Sequence, residues 1–399
     1  MISRTRPVLA LLCLLCLAVC GLVTTAVARE TFTFVYVDRA DDPYYQPHRL
    51  YTGLTLRDRY PPIDGARTAI KESRIVGRAA GKTFALSELT LGDGEDAVGA
   101  IKRQVEETGA RVFILDLPIE EMIATAKALS SEDLILFNVR HEDDALRGAD
   151  CSPVLFHTLP SRAMRMDALA QFLRKRTWDR VLLLAGPTPE DEAVSAAFQA
   201  SAHKFGLRVA EVRHFLLSND PRQRDQTNIP LLTGEVDYDV VFLADETGEF
   251  GRYVPYQTQL PRPVVGSEGL TADAWHWTWE RNGAPQLNRR FDRIAKRRMS
   301  ATDWSAWAAV KSIVEGIVRA KSTQIARLRD FLTSPAFTLD TYKGTPGNFR
   351  SWDNQLRQPI LLHTHNAVIA RAPIEGFLHE VNNLDTLGAD LRDTTCHLK

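Results

Sequence analysis

Cysteine is nearly absent beyond the first 28 residues. Cys13, Cys16 and Cys20 fall in the N-terminal stretch, which leaves Cys151 and Cys396 for everything after it. That excludes a disulfide-dense scaffold and a cysteine-rich zinc module. Enzymatic signatures are missing as well. No G-x-G-x-x-G follows a strand, no phosphate-cradling lysine loop occurs, and Ser267 lacks the G-x-S-x-G frame of a nucleophile elbow. Neither a dominant charge nor a low-complexity tract is present: 49 basic residues face 50 acidic ones. Without a basic domain, bulk nucleic-acid binding is excluded, and disorder is not the default. Beyond residue 28 no hydrophobic run approaches the ~18 residues of a membrane span.

What is present begins with an export signal. Arg4 and Arg6 precede an apolar run over 8–23, and Ala26-Val27-Ala28 supplies a small-x-small cleavage site, with the cut placed before Arg29. An uncleaved anchor helix and a lipoprotein are the competing readings. The flanks favour removal, and Val19 in Leu17-Ala18-Val19-Cys20 stands where a lipobox calls for Gly, Ala or Ser. Cleavage leaves 47 basic and 50 acidic residues, a net charge of about −3, and predicts a soluble protein exported to the periplasm. In that oxidising compartment Cys151 and Cys396 either stay as thiols or pair, and the compartment favours the pair.

The mature chain is longer than one core usually covers, which suggests two domains. Strand and helix patterns alternate. Strands are predicted over 31–37, 83–89, 112–115, 134–137 and 154–157, with helices over 64–81, 95–108 and 119–129 between them. In the first helix Ala66, Ala69, Ile70, Ile75 and Val76 are the candidate buried positions. After Leu159-Pro160-Ser161 the rhythm restarts, with helices over 162–176 and 190–205, strands over 180–185, 208–215, 240–244 and 264–266, and a polar helical stretch near 222–232. Helices over 285–298, 303–321 and 325–332 then arrive without strands, followed by a strand-rich tail over 337–374.

Acidic side chains stand just beyond nearly every predicted strand. Asp38, Asp41 and Asp42 follow the first, Asp116 the third, Glu142, Asp143 and Asp144 the fourth, Asp245, Glu246 and Glu249 a later one, and Glu268 the last. In open α/β sheets the ligand crevice lies outside the carboxyl ends of the strands. A ring of carboxylates there points to a cationic or metal-containing ligand, whose oxygens would come from several loops because no EF-hand spacing is present. Asp64, Asp191 and Asp303 are better explained as helix caps or first-turn charges. Arg39 and Arg140 beside strand ends either clamp an anion or pair with neighbouring acids. Trp275-His276-Trp277-Thr278-Trp279 packs a core or interlobe seam, or else forms a stacking wall for a flat ligand. His363 and His365 share a strand face or, less simply, one metal.

Residues 30–375 resemble type I periplasmic binding proteins of the branched-chain amino-acid receptor kind. The resemblance rests on the export signal, the two βα halves, Gly266-Ser267-Glu268-Gly269-Leu270, and Asp303-Trp304-Ser305-Ala306-Trp307 opening a helix. It implies an α/β fold of two doubly wound parallel-sheet lobes joined by a multi-strand hinge, the first lobe 29–158 plus 271–334 and the second 159–270 plus 335–399. A narrower resemblance is carried by Asp41-Asp42-Pro43-Tyr44-Tyr45, by the tryptophan segment through Asn288, and by 349–360. These stretches are similar to the substrate-binding proteins of PQQ-dependent alcohol dehydrogenase systems, some of them from lanthanide-uptake clusters.

The resemblance implies a periplasmic solute-binding component of an ABC transport system associated with PQQ-dependent alcohol oxidation, taking a lanthanide or a metal chelate. Its partners would be an inner-membrane permease and ATPase and a small-molecule or metal-containing ligand. The resemblance implies neither enzymatic activity nor a cofactor. The alternatives are a ligand sensor or accessory partner of a periplasmic quinoprotein dehydrogenase, and an amino-acid-type solute receptor. Candidate ligand oxygens are Asp38, Asp41, Asp42, Asp116, Asp245 and Glu268, with Arg140 and Tyr44 as orienting groups. One departure stands out. Where amino-acid receptors place a Ser/Thr-rich turn, this chain has Leu115-Asp116-Leu117-Pro118, so the ligand-carboxylate cradle is lost while Glu268 matches the acid that faces a ligand ammonium.

Overall fold

The computed structural model describes residues 29–47, 52–54 and 56–398. The expected export signal, with Cys13, Cys16 and Cys20, lies outside the described residues. Among the described residues no helix is long and apolar enough to cross a membrane.

The first lobe is built on five parallel strands: β1 (Glu30–Arg39), β2 (Lys82–Leu91), β3 (Val112–Asp116), β4 (Ile135–Asn138) and β5 (Leu155–His157), in the order β2-β1-β3-β4-β5. Alternation along β1 sends Phe34 and Tyr36 to one face and Val35 and Val37 to the other, and all four are fully buried. The Val35 side packs on α2 (Ala97–Thr108) and α3 (Ile119–Ala128). The Phe34 side packs on α1 (Ile63–Ala79) and on three helices from much later in the chain, α6 (Ala284–Ala295), α7 (Ala301–Ala320) and α8 (Ile325–Leu332).

The second lobe repeats the plan with four parallel strands, β6 (Arg180–Ala185), β7 (Arg208–His214), β8 (Val240–Ala244) and β9 (Val264–Gly266), in the order β7-β6-β8-β9. One face carries α4 (Arg162–Lys175) and α5 (Pro189–Lys204). The other face is covered by single-turn helices that include Ile229–Leu232 and Val254–Gln257. Capping chemistry starts these helices where the sequence places it. Thr188 with Asp191 and Ser300 with Asp303 form reciprocal capping boxes at α5 and α7. Asp64 stands in the first turn of α1, paired with Arg67.

Helix α1 keeps its expected face at Ala66, Ala69, Ile70 and Val76 but not at Ile75. Its buried residues are Gly65, Ala66, Thr68, Ala69, Ser73 and Gly77, whereas Ile75 is 72% exposed. Small side chains let α1 press against the start of α7 so closely that a Cβ on Gly65 would lie 1.9 Å from the Asp303 carbonyl oxygen. Gly65→Ala is therefore expected to destabilise the fold by about 1–3 kcal/mol through overpacking against backbone, read as a lowered urea midpoint. An unchanged midpoint would mean the two helices part freely.

Before its C-terminal tail the chain crosses between the lobes three times. It passes after β5 toward α4, between β10 (Thr271–Asp273) and α6, and between β12 (Leu356–Arg357) and β13 (Ile360–Thr364), which continues into β14 (Ala367–Ala372). Phe337, Leu339, Phe349 of β11 (Asn348–Phe349) and Leu356 pack in the first lobe's core, while Ile360, Leu362 and Ala372 pack in the second's. A buried lysine ties the crossings together. Lys343 Nζ donates to the Ala274 carbonyl at 2.8 Å and to Gln358 Oε1 at 2.7 Å, and Gln358 Nε2 donates to the Thr158 carbonyl at 2.7 Å. Burial, together with Arg371, holds the Lys343 pKa well below the ordinary lysine value. Cys151 and Cys396 form a disulfide with Cα atoms 5.7 Å apart.

Candidate functional site

In the first sheet the strand order reverses between β1 and β3, so the loops after these two strands diverge and open a crevice at their carboxyl ends. Four of the residues singled out from sequence meet there. Arg140, from the loop after β4, donates through Nη1 to Asp42 Oδ2 at 2.6 Å and to Asp116 Oδ1 at 3.5 Å. Asp116 is fully buried and accepts the hydroxyls of Tyr36 and Tyr45, each at 2.6 Å. Two guanidinium groups lie over the Tyr44 ring, Arg59 at 4.4 Å and Arg140 at 4.3 Å from its centroid.

The electrostatics of this cluster follow from its burial. Desolvation raises the Asp116 pKa, against the two tyrosine hydroxyls and Arg140, which lower it. Burial also pushes Asp42 up, but the hydrogen bonds from Arg140 and the Tyr44 amide outweigh it and leave Asp42 below the usual carboxylate value. Local backbone bonds set the geometry. Asp42 caps the single turn Pro43–Tyr45, and Asn138 Oδ1 accepts the amides of Arg140 and His141 at 3.1 and 2.9 Å.

The remaining residues go elsewhere. Asp38 sits beside Thr90 on β2, near Glu88 and Arg67, and burial raises its pKa. Asp41 is exposed in a turn with φ of 56°. Asp245 is held by its own loop, accepting from Thr247 Oγ1 at 2.7 Å, Gly248 N at 2.9 Å and Gly251 N at 2.7 Å. Glu268 pairs with Arg57 at 3.4 Å. Arg39 pairs with Glu121. The acids after β4 span the lobe junction. Glu142 binds Arg165 of α4, and Asp144 accepts the amide of Ala163 at its start.

The aromatic and histidine motifs are structural. Trp275 is 2% exposed and stacks parallel to Trp304 in the first lobe's core, and Trp279 donates to the Tyr342 carbonyl at 2.9 Å. His363 bonds Asp273 at 2.8 Å and stacks 3.9 Å from His276, whose pKa burial lowers to about 4. The register shifts between Leu362 and His363, and His365 falls in the exposed turn beyond the strand. Among the described residues no three His, Cys, Asp or Glu side chains converge in a way that could hold a metal.

Between the lobes lies a cavity of about 50 Å³ lined by Tyr44, Gln46, Leu56, Arg57 and Arg59 from the first lobe and Glu246 and Thr247 from the second. Arg57, Arg59, Gln46 and Thr247 were missed from sequence. For the two arginines the sequence signal is Arg57-Asp58-Arg59, a pair of cations in the loop that follows Tyr44 and Tyr45.

No family model matches the sequence, and no curated protein does. Solved structures do match. A branched-chain amino acid ABC transporter periplasmic ligand-binding protein from Burkholderia xenovorans LB400 is similar at TM-score 0.66 and 11% identity, over 85% of this chain and 95% of that one. An amino acid ABC transporter substrate-binding protein from Pseudomonas fluorescens Pf-5 gives TM-score 0.66 and 15% identity, over 93% and 100%. A solute-binding protein of an ABC transporter from R. palustris, solved with benzoate, gives TM-score 0.63 and 13% identity, over 92% and 99%. At these identities the likeness establishes the fold: two doubly wound lobes in the type I periplasmic binding protein arrangement.

Proposed function

We propose that this chain is the periplasmic solute-binding component of an ABC transport system, delivering its ligand to a membrane permease and ATPase. The observation that carries the reading is the cavity at the strand ends, which takes Tyr44, Arg57 and Arg59 from one lobe and Glu246 and Thr247 from the other. A ligand held by both lobes favours the closed arrangement by its differential affinity, which is how a hinge reports occupancy. The resemblance of the fold to transporter-linked binding proteins, one of them solved with benzoate, supports the same reading.

The ligand we infer is an organic solute with an anionic group, free or as the chelator of a metal. The acids around the cleft are engaged, Asp42 by Arg140, Glu268 by Arg57 and Asp245 by its own loop, so a bare lanthanide ion has few donors to draw on. The association with PQQ-dependent alcohol oxidation rests on the sequence resemblance, and a carboxylated chelate is the form of it that suits Arg57, Arg59 and Tyr44. Protein purified from its native periplasm is expected to release a stoichiometric carboxylated solute on denaturation, identified by mass spectrometry. Release of a metal ion with no organic partner would replace this ligand class. Turnover of a substrate by the purified chain would overturn the transport reading.

A further inference from the structure

The side of the cleft formed by the second lobe is a cation-accepting surface, and the protein fills it with its own side chain. Arg57 Nη2, carried by the first lobe, points at the Ser267 carbonyl at 3.1 Å, the Glu268 carboxylate at 3.4 Å and the Asp245 carbonyl at 3.5 Å. These acceptors are two carbonyl oxygens and one carboxylate, with no donor among them, which is a set that suits an ammonium or guanidinium. The surface is shaped for the occupant as well. Gly248 holds a left-handed φ of +74°, and a Cβ there would stand 3.0 Å from Arg57 Nε and 3.3 Å from Nη2. The loop that presents Gly248 is fixed by Asp245, whose two oxygens take the amides of Gly248 and Gly251.

On the first-lobe side the balance is the reverse. Asp42 and Asp116 are buried and paired with Arg140, and the Tyr44 ring has Arg59 as well as Arg140 against it. Arg57 and Arg59 both line the cavity, beside the Tyr44 ring. A solute entering this space meets guanidinium groups and an aromatic face, and finds the acceptors for an ammonium group already occupied.

We propose that Arg57 is a specificity-determining residue: as a built-in guanidinium on the second lobe's acceptors, it reserves the cleft for carboxylates that carry no α-ammonium group. This inference rests on the solute-binding reading above and narrows its ligand class. An α-amino acid would have to displace Arg57 to place its ammonium, whereas the corresponding plain acid uses Arg57 and Arg59 as they stand. Because Arg57 is exposed and makes one ion pair at the surface, its removal should leave the fold intact.

The test is calorimetric titration of the full chain with three matched pairs: leucine and 4-methylpentanoate, phenylalanine and 3-phenylpropanoate, glutamate and glutarate. The wild type is expected to bind at least one plain acid, at least tenfold tighter than its amino-acid counterpart. In Arg57→Ala that ratio should fall severalfold or invert, and in Arg57→Lys, which keeps a cation in place, it should persist. Wild-type preference for the amino acids, or an unchanged ratio in Arg57→Ala, overturns the proposal. Failure of all six to bind also overturns it, and recovery of a native solute from the periplasmic protein then leaves the solute-binding reading standing without it.

Discussion

Arg140→Ala is expected to destabilise the first lobe by about 3–5 kcal/mol at neutral pH, the usual consequence of removing one partner from a buried ion pair. The side chains of Arg140, Asp42 and Asp116 are 6%, 5% and 0% exposed, so water cannot replace the lost guanidinium. Asp116 keeps the Tyr36 and Tyr45 hydroxyls, and the loss therefore falls mainly on Asp42 and on Tyr44, which loses one of its two stacked cations. The dependence on pH has a definite sign. The Asp42 pKa is lowered in the folded protein, so its pairing stabilises above the ordinary aspartate value of about 3.9 and is lost as pH falls through the folded value. The Asp116 pKa is raised, so its contribution is full below that ordinary value and is lost as pH rises through the folded one. Without Arg140 both carboxyls move upward, and the variant should be penalised most at pH 7 and least near pH 4. Urea unfolding at the two pH values measures this, and an equal loss at both would assign the effect to packing instead of charge. Arg140→Lys should recover only part of the stability, because a point charge cannot reach both Asp42 oxygens as the planar fork does.

Much of the fold could be read from one sequence because its signals are local. The strands at Arg180–Ala185, Val240–Ala244 and Val264–Gly266 and the helix Ile325–Leu332 fall within the expected bounds, since each is a short apolar or periodic run between turn residues. Asp191 and Asp303 were recognisable as first-turn residues for the same reason: a capping box spans four positions. Of the five positions expected on the buried face of α1, four lie there and Ile75 is exposed; the small Gly65, Ser73 and Gly77 that complete the face go unread because periodicity arguments look for large side chains.

The site was less legible, and the reason is distance along the chain. Acids at strand ends are visible in sequence, but what each acid faces is not. Arg140 lies 98 residues from Asp42, and Arg57 lies 211 from Glu268. A row of carboxylates therefore reads as a cation site until the arginines are folded onto it. The same long-range pairing moved Glu142 and Asp144 from a ligand crevice to the junction of the lobes, where they hold α4.

The disulfide carries the second large expectation. It joins residues 245 apart in sequence and, more to the point, it joins the two lobes. Cys151 follows β4 in the first lobe, where the neighbouring Ser152 hydroxyl donates to the Ala126 carbonyl of α3 at 2.9 Å. The tail that ends in Cys396 is anchored to the second lobe at Leu387, in its core, and at Gly388, whose amide donates to Asp167 of α4 at 2.7 Å. The short segment between Gly388 and Cys396 is thus a strap across the hinge, closed by a covalent bond. Cys151→Ser with Cys396→Ser, or reduction of the wild type, is expected to lower stability by about 2–5 kcal/mol, chiefly through the freedom returned to the unfolded chain. The strap itself should become the first site of proteolysis, because Leu391 within it is 59% exposed. Urea midpoints and limited proteolysis with and without reductant separate the two effects. A tail that stays protected after reduction would place its anchorage in the Asp167–Gly388 and Arg350–Asp385 contacts, leaving the disulfide a role in the unfolded state alone.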